Sequence, residues 1–447
     1  MTQTHQSEEL SQDFPYQPLP YINFFQYPPM KSASLDEQTT LAAKLALDKP
    51  MSREGVFTIF VSIPYCRVRC HSCPFFKEFL PSHVDKQTFL DDYVDCLDIQ
   101  IRKYAAMTRF SSAKCNAVYL GGGTASLLAP DQVGRIIDTL QSSFTIEPQV
   151  EITLEGNPHE FSSLEYLQRV LQSGVTRVSL GYQSSQDTIL RKMLNSPHTA
   201  NDSVKALQNA LATGFYTVNI DLLYRLPGQT LAQWQYDLQT AIDFGPASIT
   251  IYEYVIHSGS NSERLINRGI LTNPTDRDTA YEWYLWAREQ LEYNGYVEDR
   301  KGNFFKPGHE QQYGALSYGQ GCESIGLGAG AYSFVNEYEF RAPDDAEFFK
   351  QQTRQGVVPV VSKVSVQATD QNLMERYTIF SFFSSSLSRQ EFYDRFGQDP
   401  LAVFPKEFSK LQRYGLAVIT DQAVKLTDLG KKWRNEVFYE FYSDAFR

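Results

Sequence analysis

Hydrophobic positions along the chain follow two alternating patterns between residues 56 and 255. Short runs of apolar and β-branched residues alternate with longer stretches in which apolar residues recur at helical spacing. The short runs predict six strands: VFTIFVSI (56–63), NAVYL (116–120), VEITLE (150–155), VTRVSLGY (175–182), YTVNIDLLY (216–224) and SITIYEYV (248–255). Helical stretches such as PDQVGRIIDTLQSSF and NDSVKALQNALATG lie between them. Strands that alternate with helices predict βα units and a parallel sheet.

Polar or glycine residues stand at or just after the end of each predicted strand. They are Cys66, Gly121, Gly122, Gly123, Thr124, Glu155, Gln183, Asp221 and Glu253. In barrels built of βα units, the loops after the strands converge at one mouth, where the active site lies. We therefore predict an α/β fold, a partial (β/α)6 barrel with one site at its mouth, in preference to an open doubly wound sheet.

Three further segments flank the predicted barrel, which spans residues 51–300. Residues 1–50 are polar and contain PYQPLPYINFFQYPP, which predicts an N-terminal arm that is either partly ordered or folded over the site. Residues 301–360 contain GALSYGQGCESIGLGAGAYS and form a predicted Gly- and Tyr-rich region beside the barrel. Residues 361–447 show a helix, a strand pair and another helix, which predicts a small winged-helix-like α+β cap domain.

Composition and charge narrow the class of protein. The 447 residues are 42% hydrophobic and 21% charged, as in soluble globular proteins. No apolar run approaches the roughly 20 residues of a membrane helix, and MTQTHQSEELSQ lacks a signal-peptide pattern, so a cytoplasmic location is expected. The net charge of −11 argues against a nucleic-acid partner. Residues 361–447 carry 12 Lys/Arg against 11 Asp/Glu, which argues against DNA binding by the predicted winged helix as well.

Three of the six cysteines form the cluster C-x3-C-x2-C, at Cys66, Cys70 and Cys73. In a reducing compartment, clustered cysteines indicate a metal site or catalysis more often than disulfides. A zinc site usually takes a second Cys or His pair, and none follows, while His71 lies inside the loop. Three thiolates suit three irons of a [4Fe–4S] cluster and leave the fourth iron open to the amine and carboxylate of a small molecule.

These motifs together resemble the radical S-adenosylmethionine (SAM) superfamily, whose signature is C-x3-C-x2-C. More narrowly, the chain is similar to the branch of oxygen-independent coproporphyrinogen III dehydrogenase and its relatives. The similarity covers about residues 56–340 and is carried by VSIPYCRVRCHSC, YLGGGTASLL, ITLEGNPHEF, RVSLGYQSSQDTIL, NIDLLYRLPGQT and GLGAGAYS. It implies reductive cleavage of SAM to methionine and a 5′-deoxyadenosyl radical, with an electron from a flavodoxin- or ferredoxin-type donor.

The same resemblance implies which side chains surround SAM. The implied residues are Phe60, Ser72, Gly122, Gly123, Thr124, Glu155, Gln183, Arg191, Asn195, Asp221, Val255 and Tyr332. Several positions depart from the dehydrogenase pattern: Phe60, Ser62, Ser72, Phe75, Asn195 and Gly314 replace a tyrosine, a histidine, an aromatic residue, a cysteine, an arginine and a glutamine. The missing arginine removes a bidentate partner for the SAM carboxylate, and Arg191, one helical turn earlier, is the expected substitute.

These departures favour relatives on the same scaffold that use two SAM molecules for C-methylation or cyclopropanation. We therefore predict transfer of a methyl or methylene group to an sp2 carbon of an aromatic or unsaturated small molecule, with Glu253 or His257 as the base. The aromatic residues expected near the mouth are Tyr252, Tyr254, Tyr313, Tyr318 and Tyr332. Two alternatives stay open: coproporphyrinogen decarboxylation, and a haem-chaperone-like carrier that uses His309 of HEQQY. Cys96, Cys115 and Cys322 are expected to be buried.

Overall fold

The computed structural model describes residues 14–17, 19, 26–47, 50–51, 55–75 and 78–447. These residues form two compact units. One contains residues 370–447 with the described residues before 26, and the other contains residues 26–369. Within the described residues, no helix combines the length and the apolar composition that a membrane crossing requires.

All six predicted strands are present, and they lie side by side in chain order as parallel neighbours. Their bounds are Val56–Ile63, Lys114–Gly122, Thr145–Gly156, Arg177–Gln183, Thr217–Tyr224 and Ser248–Glu253. The register aligns their carboxyl ends, since Ser62 pairs with Gly121 and Tyr224 pairs with Glu253. We call this end of the sheet the mouth. The residues predicted for the site therefore lie at or just beyond the same end of the sheet, as expected for a partial barrel.

Helices connect the strands and cover the sheet. Their bounds are Lys86–Ala105, Pro130–Ser143, Pro158–Phe161, Leu164–Gln172, Ala200–Thr213, Leu231–Phe244, Asn261–Asn267 and Arg277–Tyr293, with π-helical turns at Thr188–Met193 and Ala315–Gly319. Capping hydrogen bonds from side chains fix the first turn of several of these helices. The hydroxyl of Thr199 accepts a hydrogen bond from the backbone N–H of Asp202, whose carboxylate accepts the N–H of Thr199 in return. This reciprocal pair fixes the start of the helix Ala200–Thr213.

The sheet continues past the six parallel strands on both sides and does not close on itself. Val56–Ile63 pairs in parallel with Glu323–Leu327, and Ser248–Glu253 pairs with the antiparallel strand Asn303–Phe305. In the described part of the chain, thirteen strands join in this sheet. The other added strands are Val297–Arg300, Tyr332–Val335, Tyr338–Arg341, Lys363–Val364 and Lys31–Ser32. The Gly- and Tyr-rich region thus forms strands of the same sheet.

The units differ from the segments predicted at both ends of the chain. Lys31–Ser32 pairs with Lys363–Val364, which pairs with Tyr338–Arg341, so backbone hydrogen bonds tie parts of the predicted arm and cap to the larger unit. The helices Leu35–Leu47 and Ala346–Arg354 belong to this unit as well. Residues 20–25 of the predicted arm lie outside the described residues.

The smaller unit contains short helices and a three-stranded antiparallel sheet. Its strands are Ser386–Ser388, Ala417–Ile419 and Ala423–Leu426, and its helices are Asp370–Ser381, Arg389–Phe396, Pro400–Val403, Pro405–Arg413, Asp428–Lys432 and Arg434–Glu440. Phenylalanine rings form its core, with the centroids of Phe408 and Phe441 5.2 Å apart. The ring of Phe14 packs 4.9 Å from Trp433 in the same unit. Phe14, an aromatic residue of the predicted arm, therefore packs within the smaller unit.

Candidate active site

The cysteine loop begins directly after the first parallel strand. Tyr65–Cys66 pairs in parallel with Glu78–Phe79, and the backbone N–H of Leu80 donates to the carbonyl of Cys66 at 2.9 Å. Cys66, Cys70 and Cys73 are each partly accessible. The hydroxyl of Thr124, from the loop after the second strand, lies 3.5 Å from the sulfur of Cys66. Two neighbouring strand ends thus bring the glycine motif and the cysteine motif together.

Loops from two other strands hold the cysteine loop in place. The N–H of His71 donates to the carbonyl of Leu194 at 2.8 Å, and the amide of Asn195 donates to the carbonyl of Arg69 at 3.2 Å. The hydroxyl of Ser262 donates to the carbonyl of His71. Asn195, a predicted SAM residue, therefore contacts the backbone of the cysteine loop. Its φ of 52° lies in the left-handed region, which asparagine tolerates better than most residues.

The donor set fits an iron–sulfur cluster. Burial raises the pKa of Cys66 to about 11 and that of Cys70 to about 12, and Cys73 adds to both shifts. The backbone N–H of Cys73 donates to the carbonyl of Cys70 at 3.3 Å. Among the described residues, no three His, Cys, Asp or Glu side chains converge on the position of a single metal ion. That finding concerns a single-ion site, because the thiolates of a [4Fe–4S] cluster bind different irons. Closely spaced thiols that are protonated without metal and partly accessible suit such a cluster.

Gly122 and Gly123 stand at the end of the second parallel strand, Lys114–Gly122, and allow the chain there to approach the backbone of residues 63–65, just before Cys66. Gly122 has a φ of 107°, which side chains rarely adopt. A Cβ on Gly123 would lie 2.8 Å from the carbonyl oxygens of Ile63 and Tyr65. The N–H of Gly123 donates to the carbonyl of Ile63 at 2.8 Å. This close approach places Thr124 beside Cys66.

Two carboxylates, Glu155 and Asp221, face the interior next to this turn. Burial, with Asp221 as the second cause, raises the pKa of Glu155 to about 7. Burial raises the pKa of Asp221 to about 6, although the amide of Asn219 donates to it at 2.9 Å. A Cβ on Gly121 would lie 2.5 Å from a carboxylate oxygen of Glu155. Such an enclosed acidic pair suits a cationic ligand, whose charge stabilises both carboxylates.

Aromatic rings line the interior of the sheet beneath the mouth. The ring of Phe60 stacks on Tyr119 at 5.7 Å, and Tyr313 lies 5.5 Å from Tyr119. Tyr252 keeps 51% of its surface accessible. Burial nevertheless raises the pKa of Tyr252, with Asp221 and Glu155 as further causes. Tyr252 therefore lies near both carboxylates.

Two guanidinium groups that no motif in the sequence singled out, those of Arg177 and Arg300, are close enough to Tyr252 to affect its pKa. Arg177 is 2% exposed, and its Nε and Nη1 have no hydrogen-bond partner among the described residues. The guanidinium of Arg300 covers Gly314, since a Cβ there would lie within 2.7 Å of three of its atoms. The position expected to hold a glutamine near a second SAM is thus covered by a cation. Arg177 stands in RVSLGYQ, but no spacing in the sequence brings Arg300 to Gly314.

The predicted bases have different surroundings. Glu253 accepts hydrogen bonds from Arg225 at 2.8 Å and from Lys301 at 3.2 Å. Burial raises the pKa of Glu253, but Lys301 and Arg225 outweigh burial and lower it. A carboxylate paired with two cations is a weak proton acceptor. Burial lowers the pKa of His257, which keeps its imidazole neutral, and the side chain is partly accessible.

The remaining predicted residues lie around the mouth or in the packing beside it. Gln183 ends its strand with a φ of 63°, Arg191 is exposed, and Ser72 and Val255 are partly accessible. The carbonyl of Tyr332 lies against Gly326, which pairs with Phe60, and the ring of Tyr332 lies 4.8 Å from the guanidinium of Arg341.

Four other predicted residues have core or loop positions. Tyr254 is 3% exposed and packs with Ile189, Leu190, Leu194 and Leu226, so it belongs to the core. Cys96 and Cys115 are buried as expected. Cys322 is partly accessible, contrary to expectation, because it stands in a loop just before the edge of Glu323–Leu327.

Comparison with known proteins agrees with this geometry. The model of the radical SAM superfamily matches residues 60–241. The heme chaperone HemW of Bacillus subtilis (strain 168) is 26% identical over 386 residues, which cover 86% of this chain and 99% of HemW. The anaerobilin synthase of Escherichia coli O157:H7 is 24% identical over 383 residues, which cover 85% of this chain and 82% of the synthase. The structure of coproporphyrinogen III oxidase (HemN) from Escherichia coli superposes with a TM-score of 0.76 at 20% identity, over 90% of this chain and 93% of HemN.

A parallel α/β sheet with a three-cysteine loop at its mouth defines the class, and the model of the radical SAM superfamily matches this part of the chain. The relatives and the similar structure are those of the HemN/HemW-like branch. The match to this superfamily implies a [4Fe–4S] cluster and SAM as cofactors. None of these three relatives is named as a methyltransferase, so the predicted methyl or methylene transfer is not supported.

Proposed function

We propose that the chain is a radical SAM enzyme that cleaves SAM reductively and acts on a tetrapyrrole of the coproporphyrinogen class, with loss of CO2 from a side-chain carboxylate. The observation that carries this proposal is the position of Thr124, 3.5 Å from the sulfur of Cys66 at the mouth of the parallel sheet. A polar group is thereby held next to a cluster thiolate, where the open iron would take the amine and carboxylate of SAM.

Different residues of this chain would bind the cluster and SAM. Cys66, Cys70 and Cys73 would hold the cluster, which when bound supplies the electron that breaks the carbon–sulfur bond of SAM. Glu155 and Asp221 would accept hydrogen bonds from the ribose or the ammonium of SAM. Burial raises both pKa values and so favours the protonated carboxyls. The positive charge of a bound ligand would lower both pKa values and keep the carboxylates ionised. The turn at Gly122 and Gly123 lets the backbone approach the ligand closely.

The side chains beside this site support a flat, acidic substrate. The rings of Phe60, Tyr119 and Tyr313 offer an aromatic wall. The guanidinium of Arg300, which pairs with Asp299 at 3.1 Å, would also pair with a substrate carboxylate. The relatives named coproporphyrinogen III oxidase and anaerobilin synthase support a tetrapyrrole in this role. The partly accessible His257 would serve as a proton acceptor near the mouth.

Haem carriage, as the name heme chaperone suggests for HemW, is a second candidate because HemW spans most of this chain. Its expected ligand, His309, lies 2.9 Å from the hydroxyl of Thr217, the first residue of the fifth parallel strand. That is the end of the strand opposite the mouth. The ring of His309 also lies 5.0 Å from that of Tyr216, which is 68% exposed. A haem site there would be separate from the cysteine loop and can be tested separately.

The test uses the full chain reconstituted anaerobically with iron and sulfide, then given SAM, dithionite and coproporphyrinogen III labelled with 13C in its carboxyl groups. We expect 5′-deoxyadenosine together with labelled CO2, and neither product from the Cys70→Ala variant. Transfer of deuterium from deuteromethyl SAM into the product would contradict the proposal in favour of methyl transfer. A Soret band that disappears in His309→Ala, without any release of CO2, would favour the haem carrier.

A further inference from the structure

We propose that Arg225 and Lys301 form a binding site for a carboxylate of the substrate, at the mouth of the sheet. This inference rests on the proposed function and deepens it, because it assigns the cations that hold an acidic side chain of the tetrapyrrole. Arg225 and Lys301, together with Glu253, the anion that links them, are called here the cation clamp.

The three residues of the cation clamp come from neighbouring segments at the mouth. Arg225 directly follows the fifth parallel strand, and Glu253 is the last residue of the sixth. Lys301 stands in the turn between the two antiparallel strands that extend the sheet beyond the sixth. The hydroxyl of Ser262, from the helix after the sixth strand, donates to the carbonyl of His71 in the cysteine loop. The clamp thus belongs to the same mouth as the proposed SAM site.

A single carboxylate already bridges the two cations. Nη1 of Arg225 donates to Oε1 of Glu253 at 2.8 Å, and Nζ of Lys301 donates to Oε2 at 3.2 Å. Nε of Arg225 donates to the carbonyl of Thr275 at 2.9 Å, which fixes the orientation of the guanidinium. Because one carboxylate reaches both cations at once, a substrate carboxylate has the right size to bridge the donors that remain.

Both cations of the clamp keep donors for a ligand. Among the described residues, Nη2 of Arg225 donates no hydrogen bond, and Nζ of Lys301 donates only to Glu253. The side chains of Arg225 and Lys301 are 20% and 30% exposed, so a ligand can reach them from solvent. Guanidinium and ammonium groups in such positions form charge-assisted hydrogen bonds to carboxylates.

The clamp is positively charged on a chain whose net charge is −11. Burial raises the pKa of Glu253, but the lysine and the arginine of the clamp, with Arg277, outweigh burial and keep Glu253 ionised. The carboxylates of the adjoining hairpin have partners of their own. Glu298 accepts a backbone N–H of the turn at 2.7 Å, and Asp299 pairs with Arg300 at 3.1 Å. Two cations that share one carboxylate favour a second anion at the mouth.

The backbone of Arg225 has a conformation that costs folding free energy. Its φ of 65° lies in the left-handed region, which glycine adopts without strain and a residue with a long side chain does not. Strained residues of this kind are concentrated at sites of binding and catalysis. An arginine in this conformation therefore indicates a role for its guanidinium at the mouth.

The test measures the binding of coproporphyrin III, the oxidised form of the proposed substrate, and of its uncharged tetramethyl ester. Equilibrium dialysis against the anaerobically reconstituted full chain compares the parent with the double variant Arg225→Gln with Lys301→Gln. We expect this variant to bind coproporphyrin III at least tenfold more weakly than the parent, and to bind the ester within twofold of the parent. The matched control, Arg135→Gln with Lys114→Gln, removes two cations that are paired with carboxylates elsewhere, and it should bind both probes as the parent does.

An unchanged affinity of the double variant for coproporphyrin III would overturn the inference, as would an equal loss of affinity for the ester. If the double variant does not fold, Lys301→Gln alone should weaken the binding of coproporphyrin III at least threefold, and an unchanged affinity would again overturn the inference. A parent that binds coproporphyrin III through the clamp but releases no CO2 from coproporphyrinogen III would contradict the proposed function and support the carboxylate site. A parent that binds neither probe would overturn both.

Discussion

Replacing Glu155 by glutamine should stabilise the chain without cofactors at alkaline pH while it weakens SAM binding. Burial raises the pKa of Glu155 in the folded protein from 4.5 to about 7. Between these two values the folded chain retains a proton that the unfolded chain loses. Folding stability therefore falls as the pH rises from about 4.5 to about 7, and the full penalty is present at pH 8.

The size of the effect follows from the shift of the Glu155 pKa. One pKa unit corresponds to about 1.4 kcal/mol, so ionising Glu155 costs about 3 kcal/mol of folding free energy at pH 8. Since glutamine has no charge to desolvate, Glu155→Gln should recover most of that free energy at pH 8 and little at pH 5. In a unit of residues 26–369, this gain corresponds to an increase in Tm of about 4 °C.

The assay is thermal unfolding of the chain without cluster at pH 5 and pH 8, together with equilibrium dialysis against radiolabelled SAM. Glu147→Gln is the matched control, because Glu147 lies on the same strand but is half exposed beside Lys114. We expect the control to change Tm at neither pH and Glu155→Gln to lower SAM affinity at least tenfold. Equal gains at both pH values, or a loss of stability at pH 8, would show that an ionised Glu155 does not destabilise the folded chain.

Three further predictions follow from single contacts. Gly123→Ala places a Cβ within 2.9 Å of three backbone atoms of residues 63–65. We therefore expect the free energy of unfolding in urea to fall by about 1–3 kcal/mol, and less iron to be bound per chain. Thr124→Val keeps the shape of the side chain but removes the hydroxyl beside Cys66, so SAM cleavage should slow at least fivefold while the melting curve is unchanged. An unchanged rate would show that this hydroxyl has no role in SAM cleavage. Burial lowers the pKa of His198 to about 4, so the chain should lose about 3 kcal/mol between pH 6.5 and pH 4, a loss that His198→Gln should abolish in acid unfolding.

The pattern of apolar residues was sufficient to predict the six parallel strands and the edge where the site lies. Each strand is a continuous β-branched or apolar run, because both faces of a parallel sheet are covered. Residues next to strand ends could therefore be assigned to the mouth without knowledge of any contact. Cys66, Thr124, Glu155 and Asp221 were found in this way.

Features that depend on distant pairing could not be predicted. The strands Lys31–Ser32 and Lys363–Val364 have two residues each, too few to show a period, and they join across more than 300 positions. In the same way, Arg225 and Lys301 reach Glu253 from different loops and change a predicted base into a paired anion. Arg300 covers Gly314 through a tertiary contact only. Local pattern thus predicts which strand presents a residue, and tertiary contacts determine its charge and partners.

The most direct test of the account is 5′-deoxyadenosine formation from SAM and dithionite by the anaerobically reconstituted chain, with the iron content measured in the same samples. We expect about four irons per chain and steady formation of 5′-deoxyadenosine, both lost when Cys66, Cys70 and Cys73 are all replaced by alanine. An active chain that holds no iron, or a triple variant that cleaves SAM as fast as the parent, would contradict it.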